Sequence, residues 1–205
     1  MSSAPQPPQR GKKWYAASAK WTRWLHTYLS MISFATLLFF AVTGLTLNHP
    51  TWFGAAEPVI RDDSGSFPTS VLAEEIDKLS IAEELRATHK LKGKVSEFEV
   101  TEFDCMVVFK GPGYAADIFI DRETGKYTLT ETASGVVAVM NDLHKGRDSG
   151  SEWSLVIDIS AVLLVLVSLS GLILLLFLKR TRTPGLIVTV VGTILLVAVW
   201  AIWVP

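Results

Sequence analysis

Apolar residues in this chain fall into three long unbroken runs and one stretch where they alternate with polar ones. No charged residue occurs from Leu25 to Leu47, from Ile159 to Leu178 or from Leu186 to Val204. Each run has about the length needed to cross a hydrocarbon core ~30 Å thick at ~1.5 Å per residue. The pattern predicts three transmembrane α-helices, over residues 20–49, 153–179 and 185–204. The first run begins too far into the chain, and is too long, for the apolar part of a cleavable signal peptide. Residues 1–19, Pro-, Gln- and Ser-rich at their start, read as a disordered tail.

Residues 50–146 follow a different rhythm. A Pro- and Gly-punctuated linker reaches from Pro50 to Pro68. Val71, Leu72, Ile76, Leu79, Ile81 and Leu85 then recur at helical spacing, with Glu74, Glu75, Asp77, Glu83 and Glu84 on the wet side. Near residue 95 the apolar period drops to two. Val95–Val100, Met106–Lys110, Ala116–Ile120 and Lys126–Thr130 read as strands, parted by turns at Gly111-Pro112-Gly113 and Asp121–Gly125. A second helix runs from Ser134 to His144. The expected fold is a small α+β layer, one helix on an antiparallel meander of three or four strands, joined to the membrane helices. Its expected core is Ile76, Leu79, Phe98, Val100, Val107, Phe109, Ile118 and Ile120, and the lone Cys105 reads as a buried structural thiol.

Charge supplies an orientation. All 20 acidic residues lie between Glu57 and Asp158. Arg10, Lys12, Lys13, Lys20 and Arg23 precede the first span, and Lys179, Arg180 and Arg182 sit between the last two, with no acid in either segment. The positive-inside rule then puts the N-terminus and the Lys179–Pro184 turn in the cytoplasm, and the α+β segment and C-terminus on the far side. In a bacterium this is an inner-membrane protein with a periplasmic domain. Trp200 and Trp203 at one interface, and Trp14, Tyr15, Trp21 and Trp24 at the other, fit aromatic belts. The basic residues are topological and do not form a nucleic-acid surface.

Histidine carries the candidate chemistry. His49 closes the first span and His144 stands shortly before the second. Rings reaching one membrane face from two helices are what a bis-histidyl haem requires, one axial nitrogen from each side of the iron. The alternative is a pair of interfacial imidazoles without a cofactor. Gly44 and Gly171 are read as clearing space for a flat macrocycle, and the small Ser168 and Ser170 as letting the helix backbones approach. His26 is 23 residues from His49 in sequence, ~34 Å along a helix. The two cannot share an iron. A haem at His26 would need a ligand from a second protomer in a homodimer or another protein, or an open coordination position. The other reading of His26 is a snorkelling interfacial ring. Asp158 is a candidate to hydrogen-bond a ligating imidazole, with capping or hydration as alternatives. His89 reads as a solvated helix-terminal residue. No dinucleotide fingerprint, flavin site or phosphate-binding glycine loop is present in the sequence.

Asp117-Ile118-Phe119-Ile120-Asp121-Arg122-Glu123-Thr124-Gly125-Lys126 resembles the strand–turn–strand signature of PepSY domains. Trp24-Leu25-His26 with Thr43–His49, then Asp142–Gly146 and Ser170-Gly171-Leu172, resemble helices of PepSY-associated transmembrane proteins. The chain is similar to a short member of that family over residues 20–180. Longer members include haem-carrying inner-membrane reductases of iron–siderophore complexes. The resemblance implies a b-type cytochrome (haem b) held by His49 and His144, with His26 as a second-site candidate. Electrons would come from membrane quinol or a redox partner subunit and pass to a ferric chelate or periplasmic redox protein. The other reading it leaves open is a non-catalytic accessory or regulatory subunit without a cofactor.

Overall fold

The computed structural model describes residues 10–52, 57–73 and 76–205, with side chains from Trp14 onward. In chain order it has α1 (Arg10–Asn48), β1 (Val59–Ser66), a 3-10 turn at Thr69–Leu72, and α2 (Lys78–His89). Four strands follow, β2 (Lys94–Val100), β3 (Asp104–Gly111), β4 (Tyr114–Asp121) and β5 (Lys126–Ala133). Helices α3 (Val136–Lys145), α4 (Ser151–Phe177) and α5 (Arg182–Trp203) complete it. Among the described residues three helices are long and apolar enough to cross a membrane: Trp14–Asn48 of α1, α4 and α5. Helix α1 starts at Arg10, well inside the expected tail, because Ala16, Ala17 and Ala19 prolong a favourable helical sequence. The rest of that tail, residues 1–9, lies outside the described residues.

The chain forms two compact units, one of residues up to Leu37 with Ile159–Pro205, the other Leu38–Asp158. In the first, α1 and α4 meet through small hydroxyl residues: Ser33, Ser160 and Ser170 are buried. Helices in lipid gain little from burying apolar surface against one another, so small side chains that allow close approach favour their packing. No residue of α5 is buried, as expected of a span that faces hydrocarbon. Gly185, early in α5, packs directly under the Leu175 side chain of α4, which a Cβ there would push aside.

The second unit is built on a five-stranded antiparallel sheet in the order β1-β5-β4-β3-β2. Strands β2 to β5 are consecutive hairpins in the expected meander. Gly113 and Gly125 occupy the left-handed region at φ 66° and 73°, where their turns need it. Asp121 Oδ1 accepts from the Thr124 amide at 2.7 Å and closes the second of these turns. Arg122 ties the turn to the layer, donating to the carbonyls of Leu72, Ala73 and Thr101.

Strand β1 is a correction to the sequence reading, which had a linker there. It pairs with β5 from Val59↔Ala133 to Ser66↔Lys126. Its sequence, VIRDDSGS, lacks apolar alternation because it is an edge strand with nearly every residue exposed. Backbone pairing holds it, together with Arg61–Glu131 and the Thr130 hydroxyl bond to Asp62. A Cβ at Gly65 would run into the Tyr127 ring, so this edge fits over that ring only as glycine.

One sheet face carries Cys105, Val107, Phe109, Ala116, Ile118, Ile120, Tyr127 and Leu129 into the core, and α2 covers it with Ile81, Ala82 and Leu85. Ile76, Phe98 and Val100 pack at its margin. Burial holds the Cys105 thiol above its ordinary pKa, in keeping with a structural role. Leu79, expected in the core, is 72% exposed. The apolar stretch is not one helix: Leu72 belongs to the 3-10 turn, and Asp77 caps α2 by accepting from the amides of Leu79 and Ser80. That cap sets the helical phase, so positions 81, 82, 85 and 89 face the sheet and Leu79 turns to solvent. Glu74 and Glu75 lie outside the described residues.

The contrast gives a test. Leu85→Ala should destabilise this unit by about 2–5 kcal/mol, as a cavity in a closed core does. Leu79→Ala should stay within about 0.5 kcal/mol of the parent, as at an ordinary surface site. Denaturant unfolding of the full-length protein in detergent, followed by near-UV circular dichroism, measures both.

Candidate functional site

His144 occupies the last turn of α3, and four interactions fix that end of the helix. Gly146 ends the helix at φ 68°, its amide bonding back to Asp142 and Leu143. Trp153 Nε1 donates to the Leu143 carbonyl at 2.7 Å. Asp142 accepts from the Gly113 amide at 2.9 Å and anchors α3 to the β3–β4 turn. The Thr46 hydroxyl of α1 donates to Asn141 Oδ1 at 2.6 Å. Helix α3 is therefore docked between the sheet and the C-terminal end of α1.

The His144 ring lies against α1. Its Nδ1 is 2.6 Å from the Thr43 hydroxyl, and Phe40 meets it edge-on at 5.1 Å. A Cβ at Gly44 would lie 3.6 Å from His144 Cε1, so the imidazole itself occupies the space beside this glycine. No hydrogen bond reaches Nε2 of His144 among the described residues. Val42, Thr43, Thr46, Val136, Val137 and Met140 line an apolar groove of about 230 Å³ nearby.

His26 repeats the arrangement within the other unit. Its Nδ1 is 2.9 Å from the Ser170 hydroxyl of α4, and a Cβ at Gly171 would lie 3.1 Å from its Cε1. Here the glycine makes room for an imidazole, where the sequence suggested room for a macrocycle.

His49 stands one residue past α1. It stacks on Trp52 with ring centroids 3.7 Å apart and planes within 6°, and Asn48 Nδ2 lies 3.4 Å from its Nε2. The immediate partners of His49 and His144 are thus different. Asp158 is exposed and has no hydrogen bond to either ring among the described residues. Thr43 holds the position beside the ring that was expected of Asp158. Its signal was faint, a hydroxyl directly before glycine, repeated at Ser170-Gly171. Among the described residues no three His, Cys, Asp or Glu side chains gather as a metal cluster.

His89, expected to be solvated, is 8% exposed. Its Nδ1 is 3.0 Å from Asp63 Oδ2 and its Nε2 2.8 Å from the Tyr127 hydroxyl. This chain joins β1, α2 and β5, three elements that no local pattern places together. The Ser64 amide, and after it the His89 ring, hold the Asp63 carboxyl below its ordinary pKa of 3.8.

The chain belongs to the PepSY_TM-like family, whose model matches residues 20–205. No curated protein and no solved structure matches it. The protein is accordingly a membrane protein in which apolar helices accompany a PepSY-like layer.

Two outcomes test the Asp63–His89–Tyr127 chain. Tyr127→Phe strands a buried ring nitrogen and should cost about 1–3 kcal/mol of unfolding free energy. The lowered Asp63 pKa contributes stability that is present above the unfolded value and lost as pH falls through the folded one. Thermal unfolding midpoints should therefore fall as pH drops below about 4. Asp63→Asn should lower the midpoint at neutral pH and flatten its dependence in that acid window.

Proposed function

We propose that this protein is an inner-membrane b-type cytochrome, with its N-terminus cytoplasmic and its PepSY-like layer and C-terminus periplasmic. The observation that supports it most is the seating of His144. An imidazole packed on the C-terminal turns of a membrane span is held at Nδ1, with Nε2 uncommitted, against Phe40 and a glycine. A nitrogen so held would suit ligation of a haem iron.

The donor set fits haem unevenly. His144 keeps its Thr43 bond at Nδ1 while offering Nε2. His49 is the facing donor on this reading, and its ring must leave Trp52 to serve. It lies beyond the regular part of α1, next to Pro50, where the side chain is free of helical phase. His26, seated on Ser170 and Gly171, is the donor for a second site, completed by another protomer or subunit. Haem, when bound, supplies a one-electron ferric/ferrous couple. The chain's own residues orient the imidazoles, exclude water with Val, Leu and Phe side chains, and anchor the assembly in lipid. Membrane quinol or a partner subunit would be the electron source, and a ferric chelate, such as a siderophore complex, or a redox protein the acceptor.

One observation favours the cofactor-free accessory subunit. The groove beside His144, about 230 Å³, is smaller than the ~300–1,000 Å³ of ordinary ligand pockets. Helix α3 would have to move for a macrocycle to enter there.

An absorption spectrum of the detergent-purified protein, expressed with ample haem supply, separates the readings. A Soret band with sharp α and β bands after dithionite is expected, and a colourless folded protein would overturn the cytochrome. His144→Ala and His49→Ala should each lower haem per protein severely, and His26→Ala should leave that haem bound. Unchanged pigment in both of the first two defeats the ligand assignment. For orientation, reporter fusions at Gly111 and Arg182 should give opposite sides, with Gly111 periplasmic.

A further inference from the structure

His144 and His26 each meet a helix at a hydroxyl residue followed by glycine, and the oxygen distances fix where the protons lie. The Thr43 hydroxyl is 2.6 Å from the Phe39 carbonyl oxygen and 2.6 Å from Nδ1 of His144. Two oxygens this close repel unless a proton lies between them, and a carbonyl carries none. The single hydroxyl proton of Thr43 is therefore directed at Phe39. Nothing remains on Thr43 to donate to the ring, so Nδ1 must supply the proton of that second bond. Ser170 repeats this in its own unit: its hydroxyl is 2.8 Å from the Val167 carbonyl and 2.9 Å from Nδ1 of His26.

A neutral imidazole has one protonated nitrogen and one lone pair. We propose that Thr43 and Ser170 are positioning residues that hold His144 and His26 as Nδ1–H tautomers, keeping Nε2 of each as a lone-pair donor for a metal centre of the haem-iron class. Gly171 is the second half of the device at His26: a Cβ there would lie 3.1 Å from Cε1, tighter than ordinary contact, so its absence lets the ring edge settle where Nδ1 reaches the preceding hydroxyl. At Gly44 a Cβ would meet His144 at an ordinary 3.6 Å, so the Thr43 bond alone places that ring. A carboxylate would fix the same tautomer and add a charge. A hydroxyl already bonded to its own helix fixes it without placing an ion in hydrocarbon, where charge is costly.

The tautomers themselves do not depend on the haem reading; only what Nε2 binds rests on it. Full-length protein carrying ¹⁵N in its histidine side chains, in detergent, is read by long-range proton–nitrogen correlation on the neutral rings. Resonances are assigned by replacing each histidine in turn. His144 and His26 should both carry the proton on Nδ1. Thr43→Val should move His144 toward the Nε2–H form and leave His26 unchanged, and Ser170→Ala should do the reverse. Thr43→Ser, which keeps the hydroxyl, should preserve the parent pattern and separates loss of the bond from loss of the fold. Nε2–H in the parent, or no response to Thr43→Val, overturns the proposal. In a pigmented protein, Thr43→Val should also weaken haem retention by about 10–100-fold and shift its potential, and Thr43→Ser should do neither. A colourless protein defeats the cytochrome and leaves the tautomers to the same spectra. The wrong protonated nitrogen defeats this inference whatever the colour.

Discussion

A polar group inside or beside hydrocarbon must find its partner within the protein, because no water is there to take its place. This chain meets that constraint with hydroxyl side chains. Thr36, Thr43, Ser168 and Ser170 each donate to a carbonyl of their own helix, which satisfies the hydroxyl proton and leaves oxygen lone pairs free. At Thr43 and Ser170 the spare acceptor capacity faces an imidazole from another segment. Histidines that local sequence would leave as interfacial rings thereby gain defined orientations. The Ser33 hydroxyl, buried without a hydrogen-bond partner, is where the rule is broken among the described residues.

The PepSY-like layer faces a different problem. A sheet covered by one short helix has a small core, and its edge strand β1 brings almost no apolar surface to it. Specific polar contacts make up part of the difference. Asp63, His89 and Tyr127 link the edge to α2 and β5, and Arg122 gathers carbonyls from the segment before α2 and from the β2–β3 turn. Each is a long-range contact whose partners are meaningless in isolation. Loss of either partner of His89 leaves a nitrogen of that buried ring unmet, which costs more than the bond contributed.

Docking of α3 joins this layer to the histidine chemistry. The β3–β4 turn holds Asp142, two residues before His144, so the position of the imidazole depends on a hairpin that does not itself touch the ring. A PepSY-like layer attached in this way acts as the support for the ring. Displacement of the hairpin would move His144 relative to Thr43, giving the layer a physical route to influence the site.

What the sequence determined by itself was whatever local chemistry dictates. Charge-free runs specify membrane helices because no shorter or more polar segment survives in hydrocarbon. The meander from β2 to β5 was legible because alternation and Gly-containing turns are encoded within a few residues, and Cys105 was legible as buried for the same reason. The tertiary structure decided the rest. Strand β1 carries no apolar pattern and exists because β5 offers it a ladder. Leu79 faces solvent because the cap at Asp77 sets the phase of α2. His89 is buried because Asp63 and Tyr127, 26 and 38 residues away in sequence, converge on its two nitrogens. The partner of His144 is Thr43, 101 residues away, and not the nearer Asp158. Spacing along the chain can nominate a histidine as a ligand, but which nitrogen it offers depends on a proton, and only the packed neighbour determines where that proton lies.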